Sequence, residues 1–164
     1  MAEIIKTYRQ SVGAMRFIGK KYGNSDRENG TFTSKWDEWF QNGWFEEIKQ
    51  QPYEDMKFIY EEYEATIGLV RGYGESFEYW IGMFMPESTV VPAGFEQIDY
   101  PNGALGVCWV YGKENEVFMQ EVRCMKKLEE EGFSIIGDCF ERYSARFHPD
   151  DKGNVTLDIC FYVR

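Results

Sequence analysis

Histidine is nearly absent: His148 is the only one in 164 residues, and it sits in the loop-like segment HPDDKGN. A histidine-based metal site is therefore improbable, and a Ser-His-Asp or Cys-His triad would have to use that one residue. The four cysteines, Cys108, Cys124, Cys139 and Cys160, include no C-x-x-C pair. Zinc-ligand spacing is missing, and with no secretion signal they read as small buried hydrophobes in a reducing compartment. No apolar run approaches the roughly 20 residues of a membrane helix, the longest being of the order of Trp80 to Met85. The N-terminus, MAEIIKTYRQ, lacks a basic-then-apolar targeting pattern. A cytoplasmic chain is expected. Positive charge is scarce as well. The formal net charge is −10, a field that repels nucleic-acid phosphates and favours cationic partners, and no basic stripe or helix-turn-helix stands out. No direct DNA binding and no membrane association are expected. Glycines such as Gly68, Gly72 and Gly74 show neither G-x-G-x-x-G nor Walker-type spacing. Haem would lack an axial ligand beyond His148 and scattered methionines. No cofactor and no metal are indicated.

What the chain does have is rings. Aromatic residues make up 18%, with 5 Trp, 11 Tyr and 13 Phe, which fits either a ring-lined pocket or a bulky core. Residues 12–22 read as a strand closed by Tyr22-Gly23. A helix is expected over 34–48, with Ser34 and Asp37 as a capping pair and Trp36, Trp39, Phe40 and Gly43 on one face. Gln51-Pro52 ends it. Strands follow at 64–73 and 77–85 around a Gly74-Glu75-Ser76 turn. After a connection over 86–93 come residues 95–100, a strand at 104–111, and a helix over 115–131. Phe118, Val122, Met125 and Leu128 form the expected buried stripe of that helix. Strands at 139–147 and 155–163 finish the chain.

The second half repeats the order of the first. Tyr22-Gly23 and Tyr111-Gly112 lie 89 apart, as do Trp39 and Leu128; the later strands align at an offset of 77, pairing Glu64 with Glu141 and Phe84 with Phe161. A strand–helix–strand–strand unit cannot bury its sheet alone, whereas two sharing one antiparallel sheet can. The expected fold is α+β, a single domain over 1–164 with half-repeats at about 12–86 and 95–164, and two main helices.

The segments FEYWIGMFMP, VPAGFEQIDYP, ALGVCWVYGKENEVF, FERYSARF and NVTLDICFYV, taken in that order, resemble the GyrI-like effector-binding family. The likeness runs from about Val12 to Val163 and rests on several diffuse blocks rather than one signature. It implies a duplicated strand–helix–strand–strand fold. Members include effector domains of multidrug-sensing regulators, stand-alone drug-sequestering proteins and a branch that hydrolyses cyclopropane-bearing genotoxins. At 164 residues the chain is expected to lack the DNA-binding domain that precedes the effector domain in regulators. The resemblance also places the family's ligand-binding glutamate at Glu141.

Strand alternation over FERYSARF puts Glu141, Tyr143, Ala145 and Phe147 on the more apolar side and Phe140, Arg142, Ser144 and Arg146 on the other. A carboxylate among rings suits a lipophilic cation, since rings supply area and cation–π attraction and the acid supplies counter-charge. The alternative is a glutamate with its head in water or paired with Arg142 or a lysine. Trp36, Trp39 and Phe40 are either plain core or the roof of a groove, with Trp39 the ring expected to face a ligand. Trp80 shares a face with Glu78, Gly82 and Phe84 beside a possible notch at Gly82, while Phe77, Tyr79, Ile81 and Met83 read as ordinary core. Trp109 and Tyr111 are candidates for an opposite wall. Glu64 is a weak candidate, and Asp158 is expected to face solvent or another layer. Three functions compete. The first is capture of a planar lipophilic, cationic molecule. The second, implied by the resemblance, is hydrolysis with Glu141 acting on water and Tyr143 donating a hydrogen bond. The third, also implied, is a protein partner such as a topoisomerase.

Overall fold

The computed structural model describes residues 1–50, 60, 64–72 and 74–164. Eight strands form one sheet: β1 (Glu3–Val12), β2 (Met15–Tyr22), β3 (Thr66–Arg71), β4 (Glu78–Pro86), β5 (Glu96–Tyr100), β6 (Gly103–Gly112), β7 (Ile135–Tyr143) and β8 (Val155–Val163). Helices α1 (Thr33–Asn42) and α2 (Trp44–Lys49) lie between β2 and β3, and α3 (Glu114–Val117) and α4 (Glu121–Glu130) between β6 and β7. Every pairing is antiparallel, in the order β1-β6-β8-β7-β3-β4-β2-β5. Exchange the first four strands for the last four and the order reads the same backwards, with β3 and β7 meeting at the centre. The α+β class with one antiparallel sheet and two main helices is as the sequence suggested.

Directly paired residues share a sheet face, so the register sorts the side chains. One row runs Thr7, Cys108, Ile159, Glu141, Gly68, Ile81, Lys20. Its central pair, Glu141 and Gly68, makes counterparts of Ile81 and Ile159, 78 apart, and of Lys20 and Cys108, 88 apart. Each offset differs by one from the spacing read in the letters, which is enough to turn a strand over. Both main helices cover this row's face. The Trp36 indole of α1 bonds to Tyr79, and Cys108 donates to the Cys124 carbonyl of α4. The inner face carries Phe17, Leu69, Phe84, Val107, Phe140 and Tyr162. The sheet curls toward it, because Tyr100 at the far edge stacks on Tyr162 at 5.1 Å and donates to Asp138 of β7 at 2.7 Å. Strands β4 and β8 are buried along almost their whole length, which their near-continuous apolar letters require. Tyr60 caps the backbone of Phe84, accepting from its N–H at 2.8 Å and donating to its carbonyl at 2.9 Å.

Several expected details change. The first helical stretch is two helices, because Gly43 takes φ +64° and ends α1. Ser34 lies inside the first turn and caps nothing. The second helix also breaks, at Met119 with φ +62°. Beyond it the buried side of α4 is Cys124 and Leu128, leaving Val122 at 64% exposure and Met125 exposed too. Strand β7 stops at Tyr143, and Ala145–Phe147 is a single 3-10 turn. The strand β1 went unread in the letters. Gln51-Pro52, Glu61, Glu62 and Tyr73 fall outside the described residues.

Asp158 does not face solvent. It is fully buried on the inner face between two arginines. Arg142 reaches its Oδ2 with Nε and Nη2, both at 2.9 Å, and Arg146 reaches the same oxygen at 2.7 Å. Arg142 also donates to Gln10 at 2.7 Å.

Candidate ligand-binding site

The centre of the helix-covered face carries a buried carboxylate. Glu141 is only 6% exposed and, among the described residues, forms no ion pair. The Tyr79 hydroxyl donates to its Oε1 at 3.0 Å, and Tyr143 stands two residues on along the same face of β7. Gly68 makes this possible. A Cβ there would stand 2.4 Å from the Tyr79 oxygen and 2.7 Å from Oε1, so only a bare backbone lets the two strands' side chains meet over β3. Trp36 donates its indole N–H to the Tyr79 oxygen at 3.1 Å, and Phe32 stacks on the Tyr79 ring at 4.5 Å.

Tyr143 lies between the two helical layers. Its ring is 5.0 Å from Trp36 of α1 on one side and 6.4 Å from Phe118, just ahead of α4, on the other; Phe147 closes the base at 4.9 Å. Trp36, Phe118, Tyr143 and Glu121 are all half-buried, so half-exposed rings stand over a buried acid. Phe40 continues the α1 side outward at 62% exposure.

The electrostatics follow. Burial raises the Glu141 pKa, the negative charge of Glu121 adds to that, and the neighbouring hydroxyls of Tyr79 and Tyr143 lower it; the balance is a pKa pushed up to about 7. Tyr79 and Tyr143 are raised well above the usual phenol range, first by burial and then by the charge of Glu141. Both stay protonated donors at neutral pH. The arrangement can neutralise a cation held against rings, or pass a proton at Oε1.

No protein-family model matches the chain, and no curated protein does. Solved structures do. SAV2435, bound to tetraphenylphosphonium, aligns with a TM-score of 0.66 at 14% identity over 98% of this chain and 94% of that one. The EcmrR C-terminal domain aligns at 0.59 and 13% identity over 97% of each chain. The chain shares the fold of these proteins, in keeping with the GyrI-like resemblance read in its sequence. A hydrolase encoded by lin2189 from Listeria innocua shares it as well, at 0.57 and 9% identity over 97% of this chain and 92% of that one.

Within this fold the residues singled out in the sequence part company. Glu141, Tyr143 and Trp36 come together, with Phe40 on the rim. Trp39 does not face a ligand: it is fully buried, donating to Tyr22 at 3.0 Å and packed on Phe45 at 4.7 Å. Trp80, Trp109 and Tyr111 lie on the other side of the sheet and cannot form an opposing wall for Glu141. Trp80 is buried against Phe17 and donates to Glu78. Trp109 donates to Tyr8 under the Arg146 guanidinium, 4.4 Å from its ring. Tyr111 donates to Asp150. Glu64 pairs with Lys49 at 3.9 Å. Tyr79, Phe118, Phe32 and Glu121 had gone unrecognised as site residues. Tyr79 carried a readable signal, since a polar hydroxyl on an otherwise apolar strand face needs a partner.

A Gly68→Ala substitution should therefore leave a folded protein with a damaged site. The methyl must displace the ends of Tyr79 and Glu141 rather than backbone. The expected result is a Tyr79–Glu141 bond lost, and tetraphenylphosphonium affinity reduced about tenfold. An alanine variant binding as well as the parent would show that this contact does not shape the site.

Proposed function

We propose that the chain captures planar or globular lipophilic cations between Trp36, Tyr143 and Phe118, with Glu141 as the counter-charge. The observation that carries this is a carboxyl group buried under half-exposed rings with the Tyr79 hydroxyl as its described partner. Folding an acid into such a place costs free energy, and a cationic ligand offsets that cost while its apolar surface is buried. The bound tetraphenylphosphonium of SAV2435, a fold relative, supports the ligand class. The acidic chain would speed the approach of cations. No helix among the described residues is long and apolar enough to cross a membrane, and drug or toxin capture in the cytoplasm, without DNA contact, is the setting proposed.

The test is a tetraphenylphosphonium titration followed by tryptophan fluorescence. Quenching is expected, with Trp36→Phe removing most of it and Glu141→Gln weakening binding at least about tenfold, as for loss of a desolvated charge partner. Unchanged affinity in Glu141→Gln would remove the counter-charge role.

A second reading is hydrolysis of an electrophile such as a cyclopropane-bearing genotoxin. The observation favouring it is a carboxyl group of pKa about 7 flanked by two protonated phenols. Glu141 would take a proton from water, and Tyr143 would donate to the developing anion. Product beyond one equivalent per chain distinguishes this from capture, in which the molecule is retained stoichiometrically.

A further inference from the structure

The hydrogen bonds that lead to Glu141 run in one direction. The Trp36 indole N–H can only donate, and it donates to the Tyr79 oxygen at 3.1 Å. Tyr79 has one proton of its own, and its oxygen stands 3.0 Å from Glu141 Oε1. Were Glu141 to carry a proton on Oε1, that proton and the phenol proton would meet, and the phenol proton would have to turn away. Among the described residues Tyr79 has no second acceptor to turn to. It is only 8% exposed, so a phenol proton turned from Oε1 would be left unpaired in the core. Phe32, stacked on the Tyr79 ring at 4.5 Å and 7°, keeps the oxygen in place. Oε1 is therefore an acceptor whether Glu141 is ionised or neutral, and the neutral acid carries its proton on Oε2. The ionised carboxylate offers lone pairs and suits a cation, whereas the neutral acid offers an O–H on the side away from Tyr79.

We propose that the cleft takes a second class of ligand, flat neutral aromatics bearing a strong hydrogen-bond acceptor, which protonated Glu141 binds through its Oε2–H. This extends the cation-capture reading and rests, like it, on a ligand reaching Glu141. The two classes divide by pH. The titratable and charged groups about the carboxyl are Tyr79 of β4, Tyr143 and Cys139 of β7, and Glu121 of α4. The strands paired with β7 at this point supply Gly68 and Ile159, and α1 supplies the uncharged Trp36. Burial holds Tyr79, Tyr143 and Cys139 protonated, and the negative charge of Glu121 opposes ionisation of Glu141. Glu141 is neutral below about pH 7 and ionised above it. Neutral acceptors are favoured on the acid side of that value and cations on the alkaline side.

Three probes of nearly one shape separate the classes: 1-methylquinolinium, a permanent cation; quinoline N-oxide, a neutral strong acceptor; and 1-methylnaphthalene, which is neither. None of them titrates between pH 5 and pH 9, and their affinities are measured by equilibrium dialysis. The N-oxide is expected to bind about tenfold more tightly at pH 5 than at pH 9, as for the gain of one hydrogen bond. The cation should show the opposite trend and the naphthalene none. Glu141→Gln, whose amide donates at every pH, should hold the N-oxide with little pH dependence while losing the cation. Tyr79→Phe removes the phenol that steadies the ionised form, so the midpoints of both profiles should move to higher pH. A tyrosine that only packs would change the affinities without moving the midpoints. N-oxide binding that is level with pH in the parent, N-oxide binding lost in Glu141→Gln, or midpoints unmoved in Tyr79→Phe overturns this inference. Cation capture then still stands if 1-methylquinolinium affinity falls toward pH 5. A cation profile that is level as well, or binding of none of the probes, removes both readings.

Discussion

Replacing Asp158 with alanine is expected to destabilise the protein by about 3–5 kcal/mol, the range for removing one partner from a buried ion pair. The carboxylate is fully buried and takes hydrogen bonds from both Arg142 and Arg146, and the Arg142 side chain is itself only 4% exposed. An arginine cannot shed its charge. Without Asp158 the Arg142 guanidinium keeps Gln10 and a long contact to Tyr8, neither of which is negative. Urea unfolding followed by far-ultraviolet circular dichroism should show the midpoint falling sharply with the slope little changed. The double variant Arg142→Met, Asp158→Leu should recover much of the loss, because an apolar pair of similar volume avoids the desolvation cost of both ions. A midpoint for Asp158→Ala within error of the parent would mean the pair is solvated in a way its burial contradicts.

The two acids Asp158 and Glu141 show what letters can and cannot convey. Alternation along FERYSARF put Glu141 and Arg142 on opposite faces, and the structure keeps them there. Nothing in VTLDICFYV says that Asp158 is paired, since an acid between Leu157 and Ile159 looks like a solvent-facing position until register places it opposite Arg142. The same difficulty hid Tyr79. Strand period showed correctly that it shares a face with Ile81 and Met83; that this is also the face of Glu141 depends on which residue of β3 lies between them. That residue is Gly68. The tryptophans failed for a related reason. Helical spacing groups Trp36, Trp39 and Phe40, yet a difference of three residues separates a fully buried indole from one at the cleft. Periodicity gives the side of an element, and tertiary packing decides what covers it. Gly43 and Met119, where the chain takes positive φ, broke both long helices and so turned the stripe of α4 away from Val122 and Met125.

Cation binding should weaken about a hundredfold between pH 9 and pH 5. With a pKa of about 7, Glu141 is almost wholly ionised at pH 9 and about 1% ionised at pH 5. A proton and a cationic ligand compete for the same carboxyl group, so apparent affinity drops about tenfold for each pH unit below the pKa. The fold responds in the opposite sense. A carboxyl whose pKa rises on folding favours the folded state most when protonated, so this group's contribution to stability declines as pH climbs from about 4.5 to about 7 and is level above that. From the displacement of the pKa the decline is at most about 3 kcal/mol. Glu141→Gln, isosteric with the protonated acid, should flatten both profiles: weak cation binding at every pH, and no loss of stability between pH 4.5 and 7 from this group. Isothermal titration with tetraphenylphosphonium in buffers of different ionisation enthalpy should show proton release near pH 6.5 in the parent and none in the variant. A parent affinity that stays constant from pH 9 to 5 would mean that the cation does not meet Glu141, because a ligand blind to the protonation of its counter-ion is not bound by that counter-ion.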